Sequence, residues 1–343
     1  MRIWPKIHDR IQAGAWLAAA LLLAWTAMPV YAVSCTTQAA LMPMERDALA
    51  AAGGRLAAAV AEQDYAALKA ALLPSVAQDW DGIRGEVEQS APLLKGGRIQ
   101  LRNLYLLNAG SLLAAADAQF FCSNASGSLT VTITMRSLPP GRYAVVLADA
   151  AGAPLGGQLG FILAWDGRGA EAGWKLGGLS VRQGIFDGHD GVWYWTRARE
   201  LAKSDQPNND PWSAWYSYEI ARSLLLPVDF LSSPNLEKLT AEQAQIKNSP
   251  LGAFPYVLRD WPRVWKIDAV TLDATLRQPD LGVTYESTGV TDPAAARTEA
   301  VAVLSALLKA QPGLRQNFHG LWAYAVKDGK RTPVIELPMA QIP

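Results

Sequence analysis

The chain reads as an α+β protein. N-terminal helices are set against a curved antiparallel sheet, and a helical hairpin segment and a small C-terminal ββαββ module follow. Three observations predict this. Leu49, Leu56, Val60, Leu68 and Leu72 recur near helical spacing in an alanine-rich stretch over residues 43–73. Four runs between residues 99 and 148 alternate with a period of two, and residues 160–166 and 173–181 complete a series of about six strands. Near the end, an Asp292-Pro293 cap separates two pairs of strand-like runs.

Residues 1–32 read as an export signal. Arg2, Lys6 and Arg10 give a positive start, residues 13–28 are almost wholly apolar, Pro29 breaks the run, and Ala32 supplies the small residue before a cut. The apolar run is shorter than the roughly 20 residues of a spanning helix. No transmembrane segment is therefore expected after processing, and the address implied is the periplasm or envelope of a Gram-negative bacterium, or secretion. The alternative at this end is lipid attachment at Cys35, although Ala32-Val33-Ser34-Cys35 lacks the large aliphatic residue of a lipoprotein signal. The two cysteines, Cys35 and Cys122, suggest one disulfide in an exported chain. Two free thiols are the other outcome.

Helical spacing over residues 43–73 carries a weak point at Gly53-Gly54 and a restart at Asp64. A further short helix surrounds Trp80, Ile83 and Val87, and Gly96-Gly97 ends the helical part. Strands are expected over residues 99–105, 116–122, 129–135, 143–148, 160–166 and 173–181, with turns at Pro139-Pro140-Gly141 and at 149–152. Helices first and strands afterwards give an α+β layer.

Residues 58–74, AAVAEQDYAALKAALLP, resemble the opening helices of the nuclear-transport-factor-two-like, or SnoaL-like, cone fold. Residues 173–179, GWKLGGL, resemble the closing strand of many members. The resemblance covers the stretch 43–184 and implies a cone-like curved antiparallel sheet, often enclosing an apolar pocket. Some members use a pocket Asp, Tyr or His in proton transfer. Asp79, Asp81, Tyr105 and Tyr143 are of those types, and Trp80, Tyr105 and Tyr143 would be ligand-binding candidates in such a pocket.

Residues 190–248 form the helical segment. Residues 191–203 and 211–226 read as helices joined by a polar linker at 204–210, with Asp210-Pro211 as cap and first-turn proline. Their Ala-Arg and Tyr-x-x-Ala-Arg patterns resemble one tetratricopeptide-type hairpin. Ser233-Pro234 opens a third helix, and residues 250–262 read as a connector. Trp193, Tyr194, Trp195, Trp212, Trp215, Tyr216 and Tyr218 crowd the first two helices. Trp193, Trp195, Trp212 and Trp215 are ligand-binding candidates, because tryptophan is enriched at interfaces. Core packing of the hairpin is the alternative. Helical spacing puts Trp212, Trp215 and Tyr216 on one buried face and Tyr218 off it.

Residues 263–343 make the C-terminal α+β module. Strands are expected over 264–276 and 281–288, a helix follows Asp292-Pro293, and Lys327-Asp328-Gly329-Lys330 turns a final hairpin.

No catalytic residue is identified. Of three histidines, His8 falls in the signal, leaving His189 and His319. No Gly-x-Ser-x-Gly elbow, His-Glu-x-x-His pair, Cys-x-x-Cys pair or Walker loop is present, so no metal and no cofactor are expected. Asp187-Gly188-His189-Asp190-Gly191 offers two carboxylates and an imidazole. A turn with Asp190 as a helix cap explains it better than a cation site, which wants more oxygen ligands. Asn124-Ala125-Ser126 fits a glycosylation pattern that a bacterial export context leaves as coincidence.

Setting aside Arg2, Lys6, Arg10 and Asp9 leaves 28 basic against 30 acidic residues, a balance that disfavours nucleic acid as a partner. The expected role is binding or scaffolding in the envelope, with another envelope protein, a peptide or a glycan as partner. The alternatives are a small-molecule pocket enzyme of the isomerase or hydrolase type in the cone-like region, and an envelope assembly factor.

Overall fold

A computed structural model describes residues 33–167, 172–203, 209–250, 252–289 and 292–343. Residues 1–32, where an export signal is expected, lie outside the described residues, as does most of the 204–210 linker. The described chain is mixed α+β, with eight α-helices and several antiparallel sheets, none of them closed.

Strand β1 (Ser34–Thr37) leads into α1 (Pro43–Ala61), α2 (Tyr65–Ala71) and α3 (Trp80–Leu94). Asp64 restarts the helix by accepting a hydrogen bond from the Ala67 N–H at 3.0 Å. The Gly53-Gly54 pair does not interrupt α1. Gly53 is buried against the sheet, where a Cβ would come 2.6 Å from Val146 Cγ1, so the missing side chain sets how closely helix and sheet approach. Gly54 borders open space.

The six expected strands form as β2 (Arg98–Asn108), β3 (Ala116–Ser123), β4 (Leu129–Leu138), β5 (Arg142–Ala151), β6 (Gln158–Asp166) and β7 (Gly173–Arg182). They divide between two sheets. One runs β1-β2-β5-β6-β7, antiparallel throughout. In the other, the β3–β4 hairpin is extended by a two-residue strand from much later in the chain. That strand is β10 (Leu231–Ser232), which follows the small pair β8 (Ile185–Phe186) and β9 (His189–Asp190). Strand β5 shows why the central sheet reads as continuously apolar. Ala144, Val146 and Ala148 pack with the helices, among Leu49, Leu56, Val60 and Leu68, while Val145 and Leu147 pack with Phe120, Val131 and Ile133 of the second sheet. A sheet covered on both faces loses the polar half of its alternation. The Cys35–Cys122 disulfide, S–S 1.98 Å, ties β1 of the first sheet to β3 of the second. With its sulfur in this bridge, Cys35 has no thiol left for a lipid thioether.

Helices α4 (Gly191–Leu201), α5 (Pro211–Leu225) and α6 (Pro234–Ala244) follow. Asp190, Asp210 and Ser233 cap them through the N–H groups of Trp193, Ser213 and Leu236. Helix α5 is enclosed on more than one side: Trp212, Tyr216 and Tyr218 are all buried. Tyr218 was expected off the buried face. It is covered because α6 packs along that side and brings Glu242 to its hydroxyl at 3.3 Å.

The C-terminal sheet has five strands, β11 (Tyr256–Asp260), β12 (Arg263–Asp273), β13 (Asp280–Glu286), β14 (Gly320–Lys327) and β15 (Lys330–Pro338). Residues 250–262 are thus not a plain connector. The five residues of β11, bracketed by Pro255 and Pro262, pair antiparallel with β12. Strands β13 and β14 are parallel, joined by a crossover through α7 (Pro293–Ala310) and the single turn α8 (Leu314–Asn317). Asp292 caps α7 through the Ala295 N–H at 2.8 Å. Asp328 and Gly329, with φ of 52° and 74°, make the β14–β15 turn.

The two halves interlock between residues 226 and 236. Val228 is buried over Gly160, where a Cβ would collide with it. Leu231 and Ser232 pair with Ile133 and Thr132 of β4. Gln158 donates to the Leu224 carbonyl at 2.5 Å, and Arg277 donates to the Gln89 carbonyl at 2.6 Å. Among the described residues, no helix is long and apolar enough to cross a membrane.

Candidate functional site

The Asp187-to-Gly191 cluster is a tight two-residue hairpin. Asp187 and Gly188 take φ of 46° and 74°, so that Phe186 pairs with His189 and Ile185 with Asp190. Asp190 then caps α4 at 2.8 Å. The turn chemistry accounts for both carboxylates, and it projects His189 beside the first turn of α4. The His189 ring lies on the Trp193 indole, with centroids 3.8 Å apart and planes 8° from parallel.

This pair forms one wall of a cleft of about 410 Å³. Tyr194 and Arg197 continue the wall, and Asn317 and His319 stand on the C-terminal side. Arg197 donates to Asn317 Oδ1 at 3.1 Å, which joins α4 to α8 across the cleft. Burial and the nearby Asp187 carboxylate push the Tyr194 hydroxyl up to about 12, so it stays a neutral donor, bonded at 3.3 Å to the Phe186 carbonyl.

His319 belongs to a second group. Its Nδ1 lies 2.9 Å from Oδ1 of Asp280, a carboxylate with no exposed surface, and Trp322 Nε1 lies 3.4 Å from the other oxygen, Oδ2. Glu336 completes the group: one ligand atom from each of Asp280, His319 and Glu336 lies within 4.8 Å of the others. Register explains the convergence. In the β14–β15 ladder Trp322 faces Glu336, and Asp280 opens β13 beside the start of β14. Gly320 leaves the space, since a Cβ there would come 3.1 Å from both Asp280 Oδ1 and Glu336 Oε1. Burial and the Asp280 charge raise the Glu336 carboxyl above its ordinary range, partly offset by His319. Along the same sheet Trp322 stacks near Tyr324, whose ring carries the Arg331 guanidinium at 3.6 Å.

The remaining aromatic candidates do not converge. Residues two apart on a helix point to different sides, so Trp195 leaves the cleft and donates to Glu242 at 2.7 Å. Trp212 is buried against Phe254 and Tyr256, and Trp215 is half-buried against the same core. Trp80 packs edge-on against Tyr65, Tyr105 is buried between the two N-terminal sheets, and the Tyr143 hydroxyl donates to the Pro139 carbonyl at 2.9 Å. Asp79 and Asp81 are exposed, and the layer between the N-terminal helices and their sheet is filled by apolar side chains. Asn124 accepts from the N–H groups of Ser126 and Ser128, a turn-stabilising use of that triplet.

Asp280, His319 and Glu336 escaped the sequence reading because they lie 39 and 17 positions apart and follow no short motif. One signal was available. Only His189 and His319 lie beyond residue 32, and both line one cleft. Comparisons with family models, with curated proteins and with solved structures return no match.

Proposed function

We propose that this is an exported envelope or periplasmic protein of the binding or scaffold type, with the cleft between Trp193 and His319 as its ligand seat. The observation that carries the reading is the meeting of His189, Trp193, Arg197, Asn317 and His319 around one open volume, with the Trp193 side still 42% exposed. An aromatic plane beside a guanidinium, an amide and two imidazoles suits a polar segment such as a peptide or a glycan. Export rests on the three-zone pattern of residues 1–32 and is supported by the Cys35–Cys122 bridge, a bond that persists in oxidising compartments. The cone-like reading of the N-terminal region is supported by helices packed on one face of an antiparallel sheet. The tetratricopeptide-like reading of α4 and α5 is supported by their mutual packing.

A photocrosslinking side chain at position 193, compared with one at the exposed Leu113, tests the reading in the envelope of the protein's own host. Adducts at 193 that vanish with Arg197→Ala are expected. Equal adduct patterns at 193 and 113, or none at 193, would overturn it.

A further inference from the structure

We infer that Asp280, His319 and Glu336 form a binding site for a divalent transition-metal ion of the zinc class. One imidazole nitrogen and two carboxylate oxygens are a donor set that suits zinc and its first-row neighbours. Three protein donors leave a coordination position open, as in zinc sites that meet a water or a ligand. His319 is the member of the group that also lines the cleft, so the open position adjoins that space.

A second observation points the same way. Glu336 Oε1 is shut off from solvent and has no hydrogen-bond partner. Buried acceptors are nearly always satisfied, and a bound ion is one of the partners that would satisfy this one. It stands beside a second carboxylate, Asp280, that is itself fully buried. Two neighbouring carboxylates, one fully buried and the other half-buried, favour a cation or a shared proton between them. The surroundings hold the donors in position: Trp322 engages the far oxygen of Asp280, and the His319 amide donates to the Pro279 carbonyl at 3.2 Å. Gly320 keeps open the volume above both carboxylates. The Asp187–Asp190 hairpin takes no part.

The site goes beyond the ligand-binding reading and does not depend on it, because its test needs no organic ligand. Tag-free, chelator-treated protein is titrated with Zn²⁺ by calorimetry, and separately with Co²⁺ followed by visible absorption. The expected result is one ion per chain, with affinity weakened roughly ten-fold or more by Glu336→Gln and by His319→Ala. Co²⁺ is expected to give ligand-field bands in the wild type that are lost in Glu336→Gln, a near-isosteric change that preserves folding if His319→Ala does not. Absence of saturable Zn²⁺ binding to the wild-type protein would overturn the site and leave a shared proton between the carboxylates. Zn²⁺ affinity left unchanged by Glu336→Gln would also overturn it.

Discussion

The His189 ring lies flat on the Trp193 indole across the junction between a two-residue turn and the first turn of α4. The Asp190 cap between them fixes their relative position through the Trp193 N–H. Asp190→Ala should therefore cost about 1 kcal/mol of stability through loss of the cap. Trp193→Ala, at a half-open position, should cost less than about 1.5 kcal/mol while removing ligand capture. Chemical denaturation of the two variants beside the crosslinking assay separates these effects. A Trp193 variant as unstable as a core truncation would place the indole in the core, not in the binding wall.

The Cys35–Cys122 bridge closes a loop with a sequence separation of 87. Replacing both cysteines by alanine should lower stability by about 4 to 5 kcal/mol in the loop-entropy picture. Denaturant unfolding of the oxidised wild type against the double variant measures it. A loss below about 1 kcal/mol would show that the unfolded chain gains little freedom on release.

Adjacent glycines in α1 should respond with opposite signs. Gly54→Ala fills open space in a helix interior and should stabilise by roughly 0.5 to 1 kcal/mol. Gly53→Ala drives a methyl group into the stiff, β-branched Val146 and should destabilise by about 1 to 3 kcal/mol. Thermal midpoints of the two single variants decide the matter. Equal shifts would mean that the helix can slide on its sheet.

Arg199 holds the Glu242 carboxylate below the usual carboxylate range. Burial opposes it, and Trp195 and Tyr218 reinforce it. A carboxyl whose folded pKa is depressed contributes stability above its ordinary value near 4.3, and loses it as pH falls through the folded value. Glu242→Gln should therefore flatten the loss of stability on the acid side, below about pH 4. Stability measured from pH 6 to pH 3 in both proteins tests this. Parallel acid limbs would place the proton uptake elsewhere.

Local alternation and capping were readable because they are properties of neighbouring residues. Runs such as residues 99–105 and 116–122 announce strands, and Asp64, Asp210, Ser233 and Asp292 announce helix starts. Partnership was not readable. A period of two says which residues share a face, not which strand lies alongside, so the division of β2–β7 between two sheets stayed hidden. Strands β1 and β10 contain four and two residues, too few to show a period, and β11 was masked by its flanking prolines. Asp280, His319 and Glu336 meet through a parallel crossover and a hairpin register, which leave no trace in local spacing.

Strand β10 also bears on how the chain can be divided. A fragment ending near residue 190 would keep the helices, the five-stranded sheet and the disulfide. It would lose the two-residue staple on β4, and the Phe230 carbonyl would no longer take the Thr134 N–H. The bared backbone around Ile133 would then offer a ready template for intermolecular strand addition. Such a fragment is a candidate for self-association. Dissecting this protein therefore calls for keeping residues 226–236 with the N-terminal half, in cis or as an added peptide.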